Sequence, residues 1–437
     1  MKSGFVTLTG MVLLLLISCT SQKRSREPML RINPAHLNYL YQERVFGQDT
    51  VGFVRIYAEA PDYHYVEAPG EGIACVDDAA RAAVFYMQYY SYRKDPADLL
   101  KARRLLRFVL HMQAPNGMFY NFVFEDGRIN RTRHNSRPVA DWWGWRAMWA
   151  LSEGALFFRH TDTTFAGELT DALEKALPAV DSLLIRYPRT RKVKGLPCPI
   201  YLPFQSAADQ ASVLVQALVN YIQIQPDSQV SENISRLCQG ICLMQTGDSL
   251  HFPYGVLRSW ENQWHAWGNS QSYALLKAAR LPGLDAFAEP ALQELRFFVP
   301  LGMQVDFSAF LSFRRTDEMV QLVEKHRFPQ IAYGIRPYVW AALEAFRWTG
   351  CIWYARAAGK WAAWLVGENP AGVPMYQPAT GRCFDGLESE TVINRNSGAE
   401  STIEALLTLL KVRQVPAAWE QLQQAYRKHL IKVSSSR

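Results

Sequence analysis

The sequence predicts an all-α protein, a closed (α/α)6 barrel with a short N-terminal extended segment. Three observations point there. Six segments begin with a polar cluster and run into a small-residue, apolar helix. Their heads recur 59 to 68 residues apart. Between them lie six other helical stretches with more charge. Inner helices of a ring are crowded on every side and read as apolar nearly all round, whereas outer helices face water and read as amphipathic. An open α-solenoid would use shorter repeats, of about 34–47 residues.

The six heads are "VDDAARAAVFYM", "ADWWGWRAMWAL", "SAADQASVLVQAL", "GNSQSYALLKAA", "GIRPYVWAALEA" and "NSGAESTIEALLTL". They centre on Asp77, Asp141, Asp209, Gly268, Arg336 and Gly398. The charged stretches fall near 97–113, 163–186, 231–246, 284–297, 350–367 and 416–429. Before the first head, "VGFVRIYAE" alternates like a strand and "EAPGEG" reads as a turn. The stretch from Pro300 to about Phe328 has weak periodicity and is expected to be an extended excursion. The chain's 437 residues are 49% hydrophobic, with 13 Trp, 20 Tyr and 22 Phe, enough to bury one large core. Residues 33–437 are therefore expected to form one toroid domain, after a signal peptide (1–18) and a tether (19–32).

That leader follows from Lys2, the apolar run Met11–Ile17, and then Ser18-Cys19. The run is too short to span a bilayer and reads as a signal peptide. Leu16-Ile17-Ser18-Cys19 resembles a bacterial lipobox, which implies cleavage before Cys19 and lipid on its sulfur. The expected location is the bacterial cell envelope, with the membrane as a partner through that anchor. Cleavage removes Lys2 and takes the formal net charge from +7 to +6. So mild an excess gives no reason to expect nucleic acid. The other six cysteines are scattered, and no His or Cys spacing fits a metal site. No cofactor or metal is expected, and the chain is expected to be a monomer.

If the inner helices run parallel, their N-termini open at one face and the heads converge on a funnel. Exposed N–H groups there favour anions or hydroxyl-rich ligands. Asp77 and Asp78 come first. A cap at one of them, with an Asp78–Arg81 pair, accounts for one acid; the other is a candidate for chemistry. Asp141 precedes Trp142, Trp143 and Trp145, of which at least one is expected to line the funnel as a stacking platform. Asp209 and Gln210 stand at the third head, with a weakened capping box from Ser206. "SWENQWHAWGNSQSY" supplies Trp264, His265 and Asn269; "AYGIRPYVWAA" supplies Arg336 and Tyr338. Ser397-x-x-Glu400 reads as a capping box. Glu404, one turn deeper, needs a partner, because a buried carboxylate is costly. In a closed ring the sixth inner helix adjoins the first, so Glu400 and Glu404 should meet Asp77 and Asp78 across the seam. "GDSL" at 247–250 lacks the strand–turn context of a lipase motif and is set aside, as are the two glycosylation acceptors at Asn130 and Asn233.

At these residues the chain resembles the six-hairpin glycosidase superfamily. The likeness rests on "CVDDAARAAVFY", "GMFYNFVFEDGRIN", "DWWGWRAMWALSEG" and "NSGAESTIEALL", and covers most of residues 60–411. It implies a toroid acting on carbohydrate, with acid/base residues at Asp78, Asp141 and Glu400. Members include glycoside hydrolases, unsaturated-uronate hydrolases, sugar epimerases and lyase domains, and no complete catalytic set of one activity is matched. The leading expectation is a glycoside hydrolase with paired carboxylates, acting on an oligo- or polysaccharide. The alternatives are an epimerase or lyase with His265 or Tyr338 as base, a non-catalytic glycan-binding lipoprotein, and a structural partner in an envelope complex.

Overall fold

The computed structural model describes residue 1 and residues 29–46, 49–302, 308–317 and 319–435. The expected signal peptide, Cys19 and most of the tether lie outside the described residues. Among the described residues, a short helix α1 (Ala35–Leu40) is followed by twelve α-helices arranged as six hairpins. The inner members are α2 (Val76–Arg93), α4 (Trp142–Phe158), α6 (Ala208–Ile224), α8 (Gln271–Ala278), α10 (Arg336–Thr349) and α12 (Ala399–Arg413). The outer members are α3 (Pro96–His111), α5 (Thr163–Leu184), α7 (Ser228–Leu243), α9 (Ala288–Gln293), α11 (Ile352–Ala362) and α13 (Pro416–Ser435).

Each inner helix packs on the next, and α12 packs on α2, so the ring closes as the repeat requires. Burial follows the composition. α6 buries every residue from Ala208 to Tyr221, polar ones included, while α7 buries only one stripe of seven. The neighbour contacts also fix direction. Residues in the first turns of one inner helix meet first-turn residues of the next: Arg146 meets Asp77, and Gln210 meets Asp141. Late residues meet late residues: Lys277 meets Asn220, and Arg280, just past α8, meets Glu344. The inner helices therefore run parallel.

Extended segments decorate the N-terminal end of the ring. Tyr41–Phe46 pairs antiparallel with Asp49–Val54, which covers the expected "VGFV" strand. The weakly periodic stretch contains a hairpin, Phe310–Thr316 with Met319–His326, and the hairpin pairs with Gln263–His265. That pairing fixes the segment that carries His265. No helix among the described residues is long and apolar enough to cross a membrane.

Candidate active site

Helix starts place the site, but not by the caps the sequence suggested. α2 is capped by Cys75, whose sulfur accepts from the Asp78 amide at 3.4 Å. Neither Asp77 nor Asp78 caps, so both side chains are free for other partners. Ser397 and Glu400 form no capping box: Gly398 is the N-cap and has no side chain to offer. Asp385 serves that end instead, accepting from the Gly398 amide at 2.8 Å and from Ser401 Oγ at 2.5 Å. Ser206 does not cap α6 either; its hydroxyl accepts from the Glu261 amide. Asp141 does cap, accepting from the Trp142 amide at 2.7 Å.

Freed of capping, the acids meet arginines. Arg81 is 2% exposed and lies among four carboxylates: Glu400 at 2.9 Å, Asp77 at 3.3 Å, Glu404 at 3.4 Å and Asp78 at 3.7 Å. Two come from its own helix and two from α12 across the seam. Arg336 pairs with Glu404, which is the partner that deep acid required. Arg146 pairs with Asp77 and donates to the Tyr333 hydroxyl at 2.6 Å. The Tyr333 ring lies 5.0–5.5 Å from all three guanidiniums, within cation–π reach. Gly268, at φ +73°, lets Tyr333 and Trp142 approach; a Cβ there would meet Trp142 at 3.1 Å and the Tyr333 hydroxyl at 3.3 Å.

Four carboxylates share three guanidiniums in this cluster, and Asp78 is the acid left over. Burial pushes its pKa up to about 6, against the pull of Arg81 and helped by the charges of Asp77 and Glu400. Asp77 goes the other way. Burial would raise it, but Arg146 and Arg81 outweigh burial and hold it below the usual carboxylate range. Both arginines bond Asp77 through Oδ2, while its Oδ1 is buried with no hydrogen-bond partner. Asp141 is pushed up by burial, eased by the Trp142 amide and Gln210, and pushed further by the charge of Asp77.

The next helix head along the ring carries Asp209, which meets His265. Asp209 Oδ2 lies 3.1 Å from His265 Nε2, and His265 Nδ1 lies 2.8 Å from the Trp267 carbonyl. A carbonyl only accepts, so Nδ1 bears a proton, and Nε2 faces a carboxylate. The imidazole stacks on Trp267 at 3.7 Å between ring centroids. Trp267 is 41% exposed and packs against Trp142, their centroids 6.1 Å apart. Of the three tryptophans at the second head, Trp142 alone is partly exposed. Trp143 donates to the Phe119 and Arg137 carbonyls, and Trp145 donates to Gln210 Oε1.

The structure thus gathers Asp77, Asp78, Asp141, Glu400, Trp142, Asp209, Gln210 and His265 at one end of the ring. Glu400 is the most open of the acids, its side chain 43% exposed. Trp264, Asn269 and Tyr338 lie beneath the surface and bond one another: the Tyr338 hydroxyl accepts from Trp264 at 2.9 Å and from Asn269 at 3.2 Å. Arg336 and Glu404 are likewise buried. Asn269, Arg336 and Glu404 act through the residues they hold, whereas Trp264 and Tyr338 also line a small cavity beside Trp267. Tyr333 belongs to the "AYGIRPYVWAA" head that the sequence offered, whereas the sequence reading did not assign Arg146 or Asp385 to the site. Arg146 was findable, since a charge in an apolar inner helix needs a partner for the same reason as Glu404. Among the described residues no cluster of His, Cys, Asp or Glu has the make-up of a metal site.

Scanned against protein-family profiles and curated proteins, the sequence matches none. Its fold matches solved structures. A sugar epimerase from a ruminal bacterium superposes with a TM-score of 0.57 at 11% identity, over 83% of this chain and 92% of that one. Cellobiose 2-epimerase from Bacillus thermoamylovorans gives 0.56 at 11% identity, over 82% and 92%. An alpha-mannanase from Bacteroides thetaiotaomicron gives 0.52 at 11%, over 81% and 88%. The chain has the (α/α)6 toroid fold of these solved structures.

The leftover acid makes stability depend on pH. The native state keeps a proton on Asp78 that the unfolded chain releases above its ordinary value of 3.8. Stability from this group is full below that value and is lost as pH rises through about 6. Asp78→Asn should therefore stabilise the protein at pH 7, by on the order of 2–3 kcal/mol at 1.36 kcal/mol per pKa unit. The gain should fade below pH 4, as read by urea denaturation across pH.

Proposed function

We propose that the chain is a carbohydrate-active enzyme and that its funnel hydrolyses a glycosidic bond. One observation carries this reading: Asp77 and Asp141, neighbours on the funnel wall, are pushed in opposite directions. Two arginines hold Asp77 as an anion with Oδ1 unpaired. Burial favours the proton on Asp141. Hydrolysis needs that division of labour, a donor for the leaving oxygen and an anion that attacks carbon or activates water. Trp142 and Trp267 offer ring faces to a sugar. The alpha-mannanase among the similar folds supports the same substrate class. Here the donor is Asp141 rather than Asp78, because Asp78 is 3% exposed and lies against Arg81 and Cys75.

A second reading rests on His265 and Asp209. An imidazole oriented by a carboxylate is suited to moving a proton beside a carbonyl, the step of epimerisation. The names of the similar sugar epimerase and of a D-mannose isomerase favour it. Export and lipid anchoring through Cys19 are proposed on the sequence alone.

Two experiments test these readings. Incubation with gluco- and manno-oligosaccharides, followed by mass spectrometry and reducing-end assay, should show added water and new reducing ends. Asp141→Asn should lower kcat by about 100-fold or more. An isomeric product of unchanged mass, lost in His265→Gln, would replace hydrolysis with epimerisation. Saccharide binding without turnover, unaltered in Asp141→Asn, would leave a glycan-binding protein. Separately, Cys19→Ala should move the protein from the membrane fraction to the soluble fraction of its host; persistence in the membrane would contradict the anchor.

A further inference from the structure

The other end of the ring is built as well. The C-terminal parts of all six inner helices surround a cavity of about 590 Å³. Helix C-termini carry partial negative charge, and basic residues near them are ordinary compensation. Most cations here are also paired. Lys277 lies 2.9 Å from Asn220 Oδ1 and 3.8 Å from Glu153, Arg280 bonds Glu344 at 2.5 Å, and Arg347 lies 3.4 Å from Glu344.

Lys411 is different. It lines the same cavity, yet among the described residues its amine makes no ion pair or hydrogen bond. Its recorded neighbour is the Trp340 ring, 5.1 Å away. Four cations face two carboxylates around the cavity, leaving an excess of positive charge. Gln88, also in the lining, has a buried Oε1 without a hydrogen-bond partner. A buried acceptor left idle is costly to hold in place, and an ammonium facing a cavity with excess positive charge is open to an anion. Together they fit a ligand that brings an anionic group and a hydroxyl.

We propose that this cavity binds a small hydroxylated anion, its carboxylate or phosphate on the Lys411 amine and a hydroxyl donated to Gln88. The site is separate from the funnel. Trp340 lies between them, 4.9 Å from the Arg336 guanidinium and 5.1 Å from Lys411, with Trp149 and Tyr273 edge-on to it. The inference therefore stands independently of the hydrolytic reading. Burial, with Arg347 and Lys277, pushes the Lys411 pKa down to about 8, against the pull of Glu153 and Glu344. Anion binding should accordingly weaken as pH rises through 8 and the amine loses its proton.

The test uses the full chain, calorimetry and thermal melts, with D-glucuronate and D-glucose 6-phosphate as probes. At pH 7 at least one should bind saturably and raise the melting temperature, and which one does so identifies the carboxylate or the phosphate as the preferred group. Lys411→Met should weaken binding at least tenfold, Lys411→Arg should retain it, and ligand-free Lys411→Met should melt no lower than the parent. Failure of both probes to bind the parent would overturn the proposal. Equal binding by Lys411→Met would overturn it too, by placing the anion elsewhere. A lower melting point for ligand-free Lys411→Met would also overturn it, making the lysine a helix-end counter-charge.

Discussion

Arg81 closes the ring. A toroid assembled from hairpins in chain order has one joint that no loop connects, between the last inner helix and the first. Here that joint carries a guanidinium, 2% exposed, from α2 and two glutamates from α12. Burying ions rarely adds net stability, but removing one partner of a buried set costs about 3–5 kcal/mol, because the others are left uncompensated. The seam is thus specified more than it is strengthened. Among the described residues, fully buried Glu404 forms ion pairs with Arg81 and Arg336 alone, so α12 has one register in which its acid is satisfied.

The chemistry of the funnel follows from the same joint. Once Arg81 serves both helices, its neighbours Asp77 and Asp78 compete for it. Arg146, arriving from α4, settles the competition in favour of Asp77. One acid becomes a firm anion and the other keeps its proton up to about pH 6. Tyr333 fits within this cluster, its hydroxyl on Arg146 and its ring beside all three cations. Parallel inner helices then give the molecule two unlike ends. Acids, an imidazole and exposed tryptophans gather at the helix starts, and an excess of cations gathers at the helix finishes.

Much of this was legible in the sequence. The spacing of the six heads and the contrast between inner and outer helices encode the ring, because crowding and exposure act directly on composition. The seam was legible too, since Glu404 in an apolar helix demanded a partner. Local capping patterns misled. Ser397-x-x-Glu400 has the form of a capping box, but a guanidinium 2.9 Å away competes for the glutamate and wins. Cys75 caps α2 through sulfur, a weak acceptor outside the usual set of capping residues. The Asp209–His265 pair joins two residues 56 apart in the chain, so only the folded ring reveals it. Which tryptophan faces the funnel depends on where each indole N–H finds an acceptor, and periodicity does not carry that information.

The central claim is that a saccharide binds at the helix starts, against Asp77, held as an anion by two arginines, and Asp141, pushed toward its protonated form by burial. A crystal structure of the Asp141→Asn protein soaked with mixed oligosaccharides tests it most directly. The account predicts a sugar ring against Trp142 or Trp267, with a hydroxyl or the anomeric carbon beside the side chains of Asp77 and residue 141. A sugar bound only outside the funnel, or a funnel left empty at saturating oligosaccharide, would contradict it.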